Sequence, residues 1–155
     1  MDISKTADGT LVFESEFAVD TGDVEFMKRL FTDSAQSLVR FTSWRRRSDG
    51  VIIGTYIGAW NRVLGDGRMI YAISETRNGV LERRFFPGNM DASMQSKWTF
   101  TRVGRSRVVA KNVTRLNPTG APWFVPVRFL AKRCIQKTMR KIRTRVMVEN
   151  LTAFL

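Results

Sequence analysis

The chain contains no histidine and a single cysteine, Cys134. One cysteine cannot close an internal disulfide. Without histidine or a second cysteine, a Cys/His zinc site is excluded. Ser-His-Asp and Cys-His nucleophilic catalysis are excluded for the same reason. No metal site and no cofactor are expected. No run of about 18 apolar residues occurs, so no helix is expected to span a bilayer. The opening stretch, MDISKTADGT, is polar and has no apolar signal core. The expected location is therefore the cytoplasm.

What is present is a chain of 155 residues, 43% of them hydrophobic. That length suits one domain, 1–155, with a core of its own. Acids are scarce, 14 against 26 lysines and arginines, for a formal net charge of +12. The imbalance is uneven. Residues 1–37 hold eight acids and three bases (−5), and the rest hold six acids and 23 bases (+17). A surface this basic attracts anions such as nucleic acid, lipid headgroups or an acidic protein.

The pattern along the chain is mostly that of strands. Residues 10–18, TLVFESEFA, read as a first strand. Val24, Met27, Leu30 and Phe31 then recur at helical spacing. Asp20 or Thr21 is the expected N-cap of that helix, and Asp33–Ser34 could cap a second brief turn. From about residue 38 to 117 six β-rich segments follow, separated by Asp49-Gly50, Gly65-Asp66-Gly67, Asn78-Gly79, Pro87-Gly88 and Gly104. Such pairs are hairpin signals, and strands joined this closely form an antiparallel meander. Gly54 and Gly58 fall inside a segment, where glycine marks a bend or a close backbone approach. After Asn117-Pro118, residues 122–151 carry Val127, Leu130, Ala131, Cys134, Ile135, Met139, Ile142 and Val146 on one helical stripe.

This order of strand, short helices, six strands and long helix resembles the START/polyketide cyclase/Bet v 1 superfamily (SRPBCC, helix-grip). Local echoes are WTFTRVGRSRVVAKNVTRLNP and the entry APWFVPVRF into the last helix. The resemblance covers nearly the whole chain. It implies an α+β helix-grip fold, with a seven-stranded curved antiparallel sheet wrapped around the C-terminal helix and short helices after strand 1. It also implies a cavity between sheet and helix that binds lipids or other apolar molecules, and some members are cyclases or dehydrases. No motif matches a family catalytic residue, so no catalytic residue is assigned.

The residues offer a lining for such a cavity. Trp44, Tyr56, Trp60, Tyr71, Phe85, Trp98 and Phe100 lie on strands, and Phe31, Phe124, Val127, Cys134 and Met139 on helical segments. Rings supply area and methionine adapts its shape. The last helix also carries eight bases between Arg128 and Arg145, with no acid before Glu149. Its apolar stripe is expected to roof the cavity and its bases to face outward. Arg46 shares a strand face with Trp44 and could hold a carboxylate or phosphate. With Lys132, Arg133, Lys137, Arg140 and Lys141 it forms the expected anion-contacting set. Glu75 and Glu82 flank the Asn78-Gly79 turn and could meet across it, but are expected to be surface partners of Arg77, Arg83 or Arg84.

The expected function is non-catalytic binding or carriage of a hydrophobic or amphipathic ligand, with an anionic membrane surface as a further partner. The alternatives are a polyketide cyclase/dehydrase-like enzyme and a nucleic-acid-binding module using the basic face.

Overall fold

The computed structural model describes residues 1–33, 38 and 41–155; the side chains of Ala59 and Trp60 lie outside the described residues. Eight strands form one antiparallel sheet: β1 (Asp2–Lys5), β2 (Leu11–Val19), β3 (Ser43–Arg46), β4 (Ile52–Ile57), β5 (Arg68–Thr76), β6 (Gly79–Phe85), β7 (Ser93–Val103) and β8 (Arg107–Asn117). Their order across the sheet is β1-β2-β8-β7-β6-β5-β4-β3. The run from β3 to β8 is the expected meander, and β2 closes onto β8 over nine residue pairs.

The eighth strand, β1, departs from the expected seven. It pairs with β2 through a turn in which Gly9 adopts a positive φ of 88°. Its sequence, DISK, offers only Ile3 to the core, so it carried no alternation to read.

Helix α1 (Val24–Thr32) is capped by Asp23, whose carboxylate accepts from the Phe26 N–H at 3.0 Å. The cap is thus neither Asp20 nor Thr21. Thr21 instead accepts from the Asp23 N–H, holding the capping residue itself. Phe26, Met27, Leu30 and Phe31 are buried, and α1 packs on β5, β6 and β7. The brief turn expected from Ser34 lies outside the described residues.

Two expected strands are shorter than their sequence patterns. The 38–48 segment is a strand only over Ser43–Arg46. The next ends at Ile57, and a 3-10 helix (Ala59–Val63) follows. Gly58 and Asn61 carbonyls accept the closing bonds of that turn. Trp60 is therefore not on a strand. Gly54 confirms the close approach expected of it: a Cβ there would stand 2.5 Å from the Phe41 ring. Gly79 is tighter still, since its Cβ would lie 1.8 Å from the Trp98 carbonyl oxygen. The residue that ends the hairpin turn is also the one that lets β7 come close.

Helix α2 (Val127–Thr152) is 26 residues long, about 39 Å at the usual rise. Ala131, Ile135, Ile142 and Val146 are its buried residues. Their spacing of four, seven and four puts them on one narrow line. Further ties hold the helix: Asn150 Nδ2 donates to the Asp20 carbonyl, Lys141 Nζ to the Leu38 carbonyl, and the Arg143 guanidinium lies 4.9 Å from the Phe17 ring centroid. Among the described residues no helix is long and apolar enough to cross a membrane.

Candidate functional site

The concave face of the sheet has two halves. One is filled. Trp98 on β7 is 2% exposed, with its ring 5.5 Å from Phe31 and 6.4 Å from Phe17, and Phe31 also meets Phe100 at 6.1 Å. Helix α1 supplies Phe31, so it plugs this half. Phe31, Trp98 and Phe100, expected in a pocket, are closed core instead.

The other half is open. Between α2 and strands β4, β5 and β6 lies a cavity of about 820 Å³. Its floor is Tyr56, Met69, Tyr71 and Arg84; Leu38 and the α2 residues Leu130, Arg133, Cys134, Lys137, Thr138, Arg140, Lys141, Thr144 and Arg145 complete it. Of the expected pocket residues, Tyr56, Tyr71 and Cys134 line this space. Trp44, Val127 and Met139 are half-buried against the core elsewhere. Phe85 points to the outer face of β6, and Phe124 is 71% exposed before α2. The Trp60 side chain lies outside the described residues.

The bases of α2 are exposed, apart from the half-buried Lys132, yet several of them also rim the cavity. Arg133, Lys137, Arg140, Lys141 and Arg145 line the cavity, while Arg128, Lys132 and Arg143 do not. The narrow line of buried residues docks the helix, and the flank beside it overhangs the cavity. On that flank apolar and basic residues alternate, so the roof is mixed rather than apolar. Lys132 sits off this flank. Arg46 is also elsewhere, with its Nη2 donating to the Thr32 carbonyl at 3.1 Å.

The expected pairing of Glu82 with Arg84 is present, but it is buried rather than on the surface as expected. On β6, after the buried Gly79, the buried residues are Val80, Glu82 and Arg84, alternating with Leu81, Arg83 and Phe85. The apolar residues occur at both parities, so the pattern alone did not choose a face. The signal available was Glu82 and Arg84 themselves, opposite charges two apart and therefore on one face. Arg84 Nη2 lies 3.5 Å from Glu82 Oε1, which also accepts from the Trp98 indole N–H at 3.0 Å. Arg84 Nη1 contacts Met94 Sδ at 3.0 Å, and its Nε is buried without a partner. Glu82 pairs in register with Ile73, while Glu75 is exposed at the end of β5, so no carboxylate pair forms.

Burial pushes the Tyr71 phenol above its ordinary range, against the pull of Arg84. Burial works against the Arg84 charge as well, but Tyr71 and Glu82 more than offset it and the guanidinium stays protonated. Arg84 lies 4.8 Å from the Tyr71 ring centroid, within cation–π range. The cavity thus presents cations and hydrogen-bond donors, and among the described residues no carboxylate lines it. Among the described residues no group of three or more Cys, Asp or Glu is placed to hold a metal ion.

No protein-family model and no curated protein matches the sequence. Solved structures do resemble the fold. A START superfamily protein from Mycobacterium smegmatis is 12% identical, covers 88% of this chain and 97% of its own, and superposes with a TM-score of 0.60. Ara h 8.0201 is 15% identical, over 90% of this chain and 99% of its own, with a TM-score of 0.59. Norcoclaurine synthase from Thalictrum flavum, in complex with dopamine and hydroxybenzaldehyde, is 11% identical over 89% and 87%, with a TM-score of 0.53. The chain has the START/Bet v 1-like, helix-grip fold.

Proposed function

We propose that this protein binds and carries, or senses, an amphipathic small molecule in the cavity beneath α2, without transforming it. The observation that carries the reading is the cavity itself. Its volume of about 820 Å³ lies within the usual range for small-molecule sites, about 300–1,000 Å³. Leu38, Met69, Leu130, Cys134 and the two tyrosine rings give it an apolar body. Norcoclaurine synthase, of the same fold, is seen with two small aromatic molecules, which supports the kind of occupant.

The enzyme alternative finds a partial footing. Tyr71 and Arg84 converge and have shifted proton affinities, the arrangement expected of acid–base groups. Both, however, are donors. A phenol held above its normal range is a poorer acid at neutral pH, and among the described residues no carboxylate lines the cavity to act as base. Binding is therefore favoured over cyclase-type chemistry. The nucleic-acid alternative loses five of its eight helix bases to the cavity. It would show binding that falls steeply with salt.

The reading is tested by titrating the neutral probe N-phenyl-1-naphthylamine and following its fluorescence. Thr138→Trp puts an indole into the cavity from an α2 position that does not dock the helix. We expect it to weaken probe binding by at least about tenfold while the melting temperature stays near wild type. Equal binding by Thr138→Trp and wild type would place the probe, and the function, elsewhere.

A membrane surface as a second partner has its own support. Trp123 is 95% exposed and stacks edge-on with Phe124, just ahead of Arg128 and Phe129. Exposed aromatics beside bases suit the boundary of an anionic bilayer. Trp123→Ala with Phe124→Ala is expected to reduce co-sedimentation with phosphatidylserine-containing vesicles by about fivefold or more. Undiminished co-sedimentation contradicts that role.

A further inference from the structure

We infer that the ligand of the α2 cavity carries an oxyanion head (carboxylate, sulfonate or phosphate) joined to an apolar body, and that Arg84 anchors that head. The inference rests on the binding reading above and deepens it.

Three observations converge. The first is Arg84. Its side chain is only 7% exposed, yet it forms part of the cavity floor. A guanidinium has five N–H donors. Here the guanidinium lies against Tyr71, Nε has no partner, one Nη contacts a thioether sulfur, which is a weak acceptor, and the other stands at 3.5 Å from a shared carboxylate oxygen. Nε and Nη2 share the edge that grips an oxyanion in a two-pronged bond. Within the protein that edge is under-used.

The second is the charge around it. Among the described residues six cationic ones line the cavity and no acidic one does. Among the described residues the ion pairs join Glu25–Lys28, Asp23–Arg29, Asp49–Arg47, Asp66–Arg68, Glu82–Arg84 and Asp20–Arg107. None ends on Arg133, Lys137 or Arg140. Residues 34–37 and 39–40, outside the description, contain no acid that could answer them. Like charges gathered around a cleft repel. An anion entering the cleft relieves it.

The third is the segregation of the lining. Met69, Leu38 and Leu130 offer no hydrogen bond, so the body of the ligand is apolar. A fully charged ligand would leave them wet, and a fully apolar one would leave Arg84, Arg133, Lys137 and Arg140 unanswered.

The test compares two probes that share an aromatic body. 1-Anilinonaphthalene-8-sulfonate has an anionic group, and N-phenyl-1-naphthylamine lacks it. Wild type is expected to bind the sulfonate about tenfold tighter or more, as hydrogen bonds to charged groups allow. Glu82→Gln with Arg84→Met removes both charges of the buried pair together and should abolish the preference. Arg133→Gln with Lys137→Gln, at exposed helix positions that leave the core intact, should weaken it severalfold. Lys111→Gln with Arg115→Gln, on the exposed face of β8, should leave it unchanged. Displacement of the sulfonate probe by dodecanoate and dodecyl phosphate identifies the preferred head, and dodecanol is the uncharged control. Equal affinity for the two probes, or dodecanol displacing as well as either acid, overturns the inference and leaves the binding reading intact. Binding of neither probe overturns both. A preference that survives both cavity variants but vanishes in the β8 variant places the anion on the outer surface and overturns the inference.

Discussion

Arg84→Met is expected to destabilise the protein by about 3–5 kcal/mol, because removing one member of a buried charge pair leaves the other uncompensated. Glu82 is 2% exposed and would keep only the Trp98 N–H as partner. For a chain of this length that loss corresponds to a fall of roughly 8–15 °C in melting temperature. Glu82→Gln added to Arg84→Met should recover most of it. A glutamine carbonyl still accepts from Trp98, and no charge is left buried. Urea unfolding of the two variants and of Glu82→Gln alone closes a thermodynamic cycle. A double variant no more stable than Arg84→Met would show that the two charges are not coupled.

Trp98→Ala is expected to cost about 3–5 kcal/mol, the range for truncating a buried large aromatic ring. The ring meets Phe17 and Phe31, and its N–H holds Glu82. Trp98→Phe keeps a ring but drops the donor and should cost about 1–2 kcal/mol. The comparison discriminates between two pictures of this half of the sheet. If Trp98→Ala costs under about 1 kcal/mol, Trp98 borders empty space rather than closed core.

That contrast marks where sequence reasoning reached its limit. The meander and the long helix were legible, because hairpin glycines and helical spacing are local signals. The antiparallel order of β3 to β8 follows from them directly. Strand β1 was not legible, since a four-residue edge strand with one apolar side chain has no alternation. Alternation along β7 puts Trp98 and Phe100 on one face, and both are buried. Whether Trp98 lined a cavity depended on α1, which supplies Phe31 across the sheet, and that is a long-range fact no periodicity encodes. Helix α2 shows the same division. Its buried line could be read from the stripe. The roll of the helix about that line could not, and it decides which of the exposed bases, Lys137 and Arg140 among them, border the cavity. Arg84 is the sharpest case. An arginine in a strand is ordinarily assigned to the outside, and only its neighbour Glu82 hinted otherwise.

The two halves of the sheet divide the work. The α1 side, with Trp98 at its centre, is a packed support. The α2 side keeps a cavity open because Tyr56, Met69 and Tyr71 face a helix flank bearing long, charged side chains. Such side chains cannot be packed away as leucines could, since their heads must remain solvated or paired.

The most direct measurement is a titration of 15N-labelled protein with N-phenyl-1-naphthylamine, followed by amide chemical shifts. The account predicts shifts that cluster on Met69, Tyr71 and Arg84 in the sheet and on Leu130, Cys134 and Thr138 in α2, and that disappear in Thr138→Trp. Shifts centred on the Trp98–Phe31 half, or confined to the exposed Trp123–Phe124 loop, would contradict it.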